Sequence, residues 1–475
     1  MLGRLLMTEG GLLLLPFVTG LIYKEDSAWW TLLTAVITFT AGFMLNLIFK
    51  KSDKTLFARE GFAIVALSWL TMSAFGALPF FLSGEISSYT DAFFETVSGL
   101  TTTGASVVSN VAAMSKGLLL WRSFTHWIGG MGILVFVMAI LPTESGRNVH
   151  IMRAEVPGPI VGKVLPRIKD TAKILYLVYI ALTVALALLL WCGDMSLFDS
   201  LIHAFGTAGT GGFGIRADSI ASYSAYSQWV ITVFMLLFAI NFNLYYLILI
   251  KRVKAALSSR ELWCFIGIVA VAVGAIAINL TTTLSAVYNN LSDTIRHSAF
   301  QVASIISTTG FTTVTTNDWP GLSKMILIVL MFVGGCAGST AGGLKLSRVM
   351  MLFKIGKKET RQLIHPRSVN AVRFEGKTLD SATLHSVSTY IVVYVIIFVL
   401  TMLILSFEPF GFETIFTATS TCINNVGIYF GPESSQGIAP FSDFSTWILS
   451  FVMLIGRLEI FPMLLAFSPS TWAKK

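Results

Sequence analysis

Charge is scarce in this chain: Asp, Glu, Lys and Arg make up 12% of it, against roughly a quarter of an ordinary soluble domain, which excludes a soluble globule. Cysteine is thin as well. Cys192, Cys264, Cys336 and Cys422 form no C-x-x-C pair and lie in or beside apolar stretches, so they read as buried thiols and imply no disulfide framework. There is no H-E-x-x-H, no G-x-S-x-G and no paired Asp inside an apolar stretch, and the six histidines are scattered. A membrane-embedded enzyme would need a convergent catalytic set, so the chain does not read as an enzyme.

What is present is apolar: 55% of residues are hydrophobic, and the runs are long enough to cross a bilayer, for which about 18 residues suffice. Ten crossings are expected near 3–23, 28–49, 60–82, 118–141, 174–192, 228–250, 261–280, 322–354, 383–406 and 444–467. Shorter semi-apolar segments near 90–103, 196–209, 291–308 and 411–425 suit re-entrant helices. The first run reads as a retained helix, because no A-x-A-like cleavage site precedes Lys24-Glu25-Asp26. Asn279-Leu280-Thr281 matches a glycosylation sequon, a tripeptide common by chance.

The net charge of +8 would suit nucleic acid, but its distribution points to a membrane. With the N-terminus cytoplasmic, 26 Lys and Arg fall in inside segments and 6 in outside ones, with Arg457 inside a helix. That bias is the positive-inside pattern, and no nucleic-acid partner is expected.

Each re-entrant segment ends in a short polar run and a glycine: Thr101-Thr102-Thr103-Gly104, Thr210-Gly211-Gly212, Ser307-Thr308-Thr309-Gly310 and Asn424-Asn425-Val426-Gly427. The glycines lie 108, 98 and 117 residues apart, a domain-sized repeat. All four runs fall on the outer side, so the repeats share one orientation and are related by an axis along the membrane normal. The expected fold is an all-α polytopic membrane protein. Four helix–pore-helix–helix repeats (55–146, 147–254, 255–366 and 367–475) surround one pore in pseudo-fourfold arrangement, after two extra N-terminal helices (1–54). A dehydrating cation needs oxygen atoms in place of its water shell, and an extended Thr-Thr-Gly strand aims backbone carbonyls at the axis. The candidate cation filter is therefore Thr102, Thr103, Gly104, Thr210, Gly211, Gly212, Thr308, Thr309, Gly310, Asn425, Val426 and Gly427.

Glu95, His203 and Gln301 each stand nine residues before a filter glycine, with Ala418 in the fourth repeat. They are expected to anchor the pore helices, since no pair has metal-ligand spacing. Asp91 and Asp199, thirteen residues before the glycine, would cap the pore helix, attract cations, or both. The second helix of each repeat carries an echo at Trp127-Ile128-Gly129-Gly130, Phe332-Val333-Gly334-Gly335 and Leu454-Ile455-Gly456-Arg457, degenerate at Ile240-Asn241-Phe242. Arg457 is either a positive charge near the axis that limits cation flow or an arginine paired elsewhere with a carboxylate or carbonyls. The run 334–343 resembles a P-loop, but Leu344 delays Lys345 by one residue and no soluble strand precedes it, so no nucleotide is expected on this chain. The candidate gate is Gly334, Gly335, Gly338, Ser339, Thr340, Gly342, Gly343, Lys345 and Arg457.

Together T-T-T-G-A, H-W-I-G-G-M-G at 126–132, S-T-T-G-F-T, G-G-C-A-G-S-T, N-N-V-G and G-R-L-E at 456–459 resemble the Trk/Ktr/HKT superfamily of potassium and sodium transporters, and specifically its Trk-type membrane subunits, the TrkH family. The similarity covers the whole chain, including the two added N-terminal helices. It implies potassium uptake across the bacterial inner membrane, a homodimer with one pore per subunit, an intramembrane gate at 334–343, and Arg457 below the filter. It also implies a cytosolic TrkA-type regulatory subunit that binds nucleotides. Relatives often carry a Ser/Thr-Ile-x-Ile run where this chain has Thr207-Ala208-Gly209-Thr210, which leaves the second filter strand uncertain by one residue. The rival function is a potassium/sodium or proton-coupled secondary cation transporter that rocks between states. The basic loop 354–377 is open between a membrane-lipid surface and a partner dock.

Overall fold

The structure, a computed structural model, describes residues 1–49, 58–132, 168–367 and 371–472. The expected repeat boundaries at 54/55 and 146/147, residues 133–141 of the 118–141 run and most of the basic loops 50–59 and 142–173 lie outside them. Apart from one short hairpin ladder, Arg373–Phe374 with Lys377–Thr378, the regular structure of the described residues is helical.

Two apolar spans come first, Leu2–Tyr23 and Ser27–Ile48. They approach closely because glycines face each other's backbone. A Cβ on Gly10 would lie 2.9 Å from both Ala35 O and Phe39 N, and one on Gly3 would lie 2.5 Å from Gly42 O. Small residues replace the missing hydrophobic drive between helices in lipid.

Each repeat then supplies an outer helix, a short helix and an inner helix. The outer helices are Ala58–Gly76 (extended by Leu78–Leu82), Ile168–Trp191, Arg260–Thr283 and Ser381–Leu405. The short helices are Tyr89–Leu100, Leu197–Gly209, Leu291–Ile306 and Phe412–Asn424. Their lengths, 12 to 16 residues, fall below the roughly 20 needed to span, so each dips in and returns as a loop.

Outside the third repeat, whose glycine-rich run at 334–343 already marks a break, the inner helices correct the expectation of continuous spans. Lys116–Gly130 ends at its glycine pair. Ala225–Ala239 bends by 89° into Phe242–Leu249. Gly321–Val333 stops before a loop and resumes as Leu346–Ile364, and Asp443–Arg457 stops before Phe461–Phe467. The first ends, and the other three are interrupted, at the positions of the sequence echo. In the first and fourth repeats a Cβ on Gly129 or Gly456 would collide with the carbonyl of Leu100 or Ile423, the end of the same repeat's short helix, so glycine there lets the inner helix cross the short helix at backbone contact.

Every short helix is wedged between two inner helices, its own and that of the preceding repeat, and the first short helix packs against the fourth inner helix. The four repeats therefore close into a ring around one axis. Carboxylates pin the starts of three inner helices where their N–H groups are free. Glu85 accepts from Ser115 N at 3.0 Å, Asp194 from Ser224 N at 2.8 Å and Ser227 Oγ at 2.5 Å, and Glu408 from Ser442 N at 3.1 Å and Ser445 Oγ at 2.5 Å.

Candidate functional site

The strands after the short helices repeat one backbone conformation. Thr102, Thr210, Thr308 and Asn425 adopt left-handed φ of 55–57°, and two residues later Gly104, Gly212, Gly310 and Gly427 have φ of 78–90°. The intervening N–H of Thr103, Gly211, Thr309 and Val426 returns to the carbonyl five residues back, at 2.8–2.9 Å. This closes the helix as a C-terminal αL cap does and turns the chain into a strand. The correspondence fixes the register left open in the second repeat: Thr210-Gly211-Gly212 aligns with Thr102-Thr103-Gly104.

The four glycines form a cycle. A Cβ on Gly104 would collide with the Gly211 carbonyl, one on Gly212 with Thr309 O, one on Gly310 with Val426 O, and one on Gly427 with Thr103 O. Each strand's glycine thus lies against the carbonyl of the next, and the last against the first. The positive φ and the close approach both require glycine. Because the short helices point their C-termini at this ring, the negative ends of their dipoles favour a cation there.

Of the residues nine before the glycines, Glu95 and Gln301 bond to the strands, while His203 bonds within its own short helix. Glu95 accepts from Ser106 Oγ at 3.0 Å, Val107 N at 3.0 Å and Arg122 Nε at 2.5 Å. Arg122 in turn donates to Gly214 O at 3.1 Å and lies 3.5 Å from the Phe213 ring centroid, joining the first strand to the second. His203 Nδ1 sits 2.7 Å from Asp199 O, and Gln301 donates to Val314 O at 3.4 Å. In the fourth repeat Ala418 makes no such bond and Thr417 takes over, donating to Phe430 O at 2.9 Å and accepting from Phe430 N at 3.0 Å. The sequence comparison missed Thr417 because it is displaced by one position. Neither Asp91 nor Asp199 is the cap residue: those positions belong to Ser88 and Ser196, and Ser196 Oγ accepts from Asp199 N at 3.1 Å.

The candidate gate residues from Gly334 to Lys345 form one buried loop in the interrupted third inner helix. It is held to the bend of the second inner helix by Cys336 N to Ala239 O at 2.9 Å, Phe242 N to Gly338 O at 3.0 Å and Thr340 Oγ1 to Phe238 O at 3.1 Å. It reaches the strand ring through Gly342 N, which donates to Thr308 Oγ1 at 2.6 Å. Gly334, Gly338, Gly343 and Lys345 have φ of 67–77°, and at Gly335 and Gly342 a Cβ would lie 2.6 Å from Ala341 Cβ and 2.5 Å from Asn424 O, which together account for the run of glycines. The Glu261 carboxylate holds the loop's outer edge through Ala337 N at 2.8 Å, and Lys345 Nζ folds back on Ala341 O.

Arg457 ends the fourth inner helix, within the expected 444–467 crossing. Its guanidinium donates to Thr340 O at 2.9 Å, Gly129 O at 2.6 Å and Gly130 O at 2.9 Å. Of the two readings of this residue, the structure shows the pairing with carbonyls, and those carbonyls belong to the first and third repeats. Glu459 turns away to Arg348, whose guanidinium also lies 4.3 Å from the Tyr390 ring centroid.

Known proteins share this organisation. The TrkH family, described as "Cation transport protein", matches residues 31–474. The Trk system potassium uptake protein TrkH of Escherichia coli (strain K12) is 35% identical over 474 residues, 99% of this chain and 98% of its own. Its counterpart in Halomonas elongata is 35% identical over 482 residues, 100% of this chain and 98% of its own. The crystal structure of the potassium transporter TrkH from Vibrio parahaemolyticus superposes with a TM-score of 0.89 at 33% identity, covering 99% of this chain and 98% of that one. A match over nearly the full length, in sequence and in fold, makes this chain a member of the TrkH family of cation transport proteins, membrane transporters and not enzymes.

Proposed function

We propose that this chain takes up potassium across the bacterial inner membrane through a single gated, channel-like pore, with Thr102 to Gly104, Thr210 to Gly212, Thr308 to Gly310 and Asn425 to Gly427 as its filter. The closed glycine-to-carbonyl cycle carries this reading. It brings four strands of one conformation to a common axis, where carbonyl oxygens can replace an ion's water shell. The potassium uptake of the relatives agrees with it.

The loop from Gly334 to Lys345 is the gate in this reading, and Arg457 latches it while adding a positive barrier on the ion path. Residues 55–146, 147–254, 255–366 and 367–475 are the four pore repeats. The N-terminus is cytoplasmic, as the Lys and Arg distribution favours. The chain works as a homodimer with a cytosolic nucleotide-binding regulatory subunit, and membrane lipid surrounds its exposed apolar helices.

Flux into liposomes containing the purified chain tests the filter: potassium passes faster than lithium. Equal rates for the two ions would remove the filter assignment.

A further inference from the structure

At the position between the left-handed residue and the filter glycine, three strands carry a side chain, Thr103, Thr309 and Val426, and the second carries Gly211. The backbone does not demand this glycine, since among the described residues Gly211 is absent from those with positive φ. What excludes a side chain is His126. A Cβ built on Gly211 would fall within the imidazole, against Cγ, Nδ1 and Cδ2.

The imidazole is fully buried and bonded at both nitrogens. Nε2 accepts from Phe213 N at 3.3 Å, so the proton lies on Nδ1, which donates to Gly99 O at 2.7 Å. The ring therefore bridges the end of the first short helix and the strand of the second repeat, with Phe213 4.2 Å away centroid to centroid. Two other strands secure themselves with their own hydroxyls: Thr103 Oγ1 to Thr101 Oγ1 at 2.8 Å, and Thr309 Oγ1 to Ser307 Oγ at 2.7 Å. Gly211 has no such group. Three residues before the corresponding inner-helix glycines, where the first repeat has His126, the third and fourth have Met331 and Met453.

We infer that His126 is a positioning residue of the filter, standing in for the side chain that the second strand lacks and setting the pore's preference among alkali cations. The inference rests on the filter reading above. It makes His126 and Gly211 a complementary pair: a smaller residue at 126 frees room for a side chain at 211, on a backbone that already accepts one.

The experiment measures potassium and lithium flux in liposomes for the parent chain, His126→Ala, Gly211→Thr and the double variant. The parent's preference for potassium tests the filter reading by itself. Given that preference, His126→Ala lowers the potassium-to-lithium ratio about tenfold, the scale of one buried hydrogen bond, and Gly211→Thr lowers it or blocks folding. The double variant recovers at least part of the ratio. An unchanged ratio in either single variant overturns the inference. Where His126→Ala does not accumulate in the membrane, the double variant decides, and its failure to restore folded, selective protein overturns the pairing.

Discussion

The Arg457 guanidinium donates to the Thr340 carbonyl at 2.9 Å, so a charge at the end of the fourth repeat's inner helix is tied to the loop that interrupts the third. One residue thereby does two things at once. It holds carbonyls of the first and third repeats together, and in the proposed reading its charge stands on the ion path and fastens the gating loop.

Replacing Arg457 with Ala removes both effects. Potassium flux in liposomes should rise about tenfold, equivalent to a barrier lower by about 1.4 kcal/mol. Thermal stability should fall, because the carbonyls of Gly129, Gly130 and Thr340 each lose a donor. An unchanged or lower flux in folded protein would show that Arg457 is no barrier.

Gly342→Ala tests the loop without touching a charge. Its Cβ would lie 2.5 Å from Asn424 O and 3.0 Å from Asn425 Cβ, pushing the loop off the ring and stretching the bond from Gly342 N to Thr308 Oγ1. Losing one such bond, about 1 kcal/mol, shifts a two-state loop about fivefold toward its displaced form. Flux should rise by a similar factor, and a folded variant with parental flux would separate this loop from gating.

Gly310→Ala attacks the filter itself. Alanine at φ 84° is strained by about 1–2 kcal/mol, and its methyl would collide with the Val426 carbonyl. Potassium-over-lithium preference should fall about tenfold or more. A variant that keeps its preference would contradict the ring's role in selection.

The first, third and fourth candidate filter strands are legible in the sequence because positive φ and close approach leave only glycine, which is conspicuous. The second strand was ambiguous by one residue for a physical reason: Gly211 compensates for a histidine 85 positions earlier in the chain, a relation that local pattern does not carry. The bend at Ile240-Asn241 was equally hidden, since residues 228–250 read as one apolar span. It is made by Asn241, whose side chain accepts from Asn243 N at 2.9 Å and restarts a helix. Arg457 was visible as an anomaly, but its carbonyl partners lie in other repeats and emerge only in three dimensions.

Two carboxylates outside the spanning segments give a pH dependence. Partial burial raises the pKa of Asp194 and of Glu408, and hydrogen bonds from Ser224 and Ser227 to the first and from Ser442 and Ser445 to the second more than reverse it, leaving both below the ordinary carboxylate value. A depressed folded-state pKa contributes stability that is present above the unfolded-state pKa and is lost as pH falls through the folded-state one. Melting temperature in detergent should therefore drop on acidification through that acid window. The Asp194→Asn, Glu408→Gln double variant should show a flatter profile, and a profile as steep as the parent's would exclude these caps as its source.

The cycle of strands also bears on biosynthesis. Asn425 Nδ2 donates to Thr103 Oγ1 at 2.9 Å across 322 residues, and the Gly427 backbone abuts the Thr103 carbonyl. A ribosome delivers the first of these residues long before the last, so three-quarters of the pore must wait in the membrane with its polar edge unmatched. In the proposed filter reading, a nascent fragment ending before the fourth repeat holds an open ring and cannot discriminate among ions.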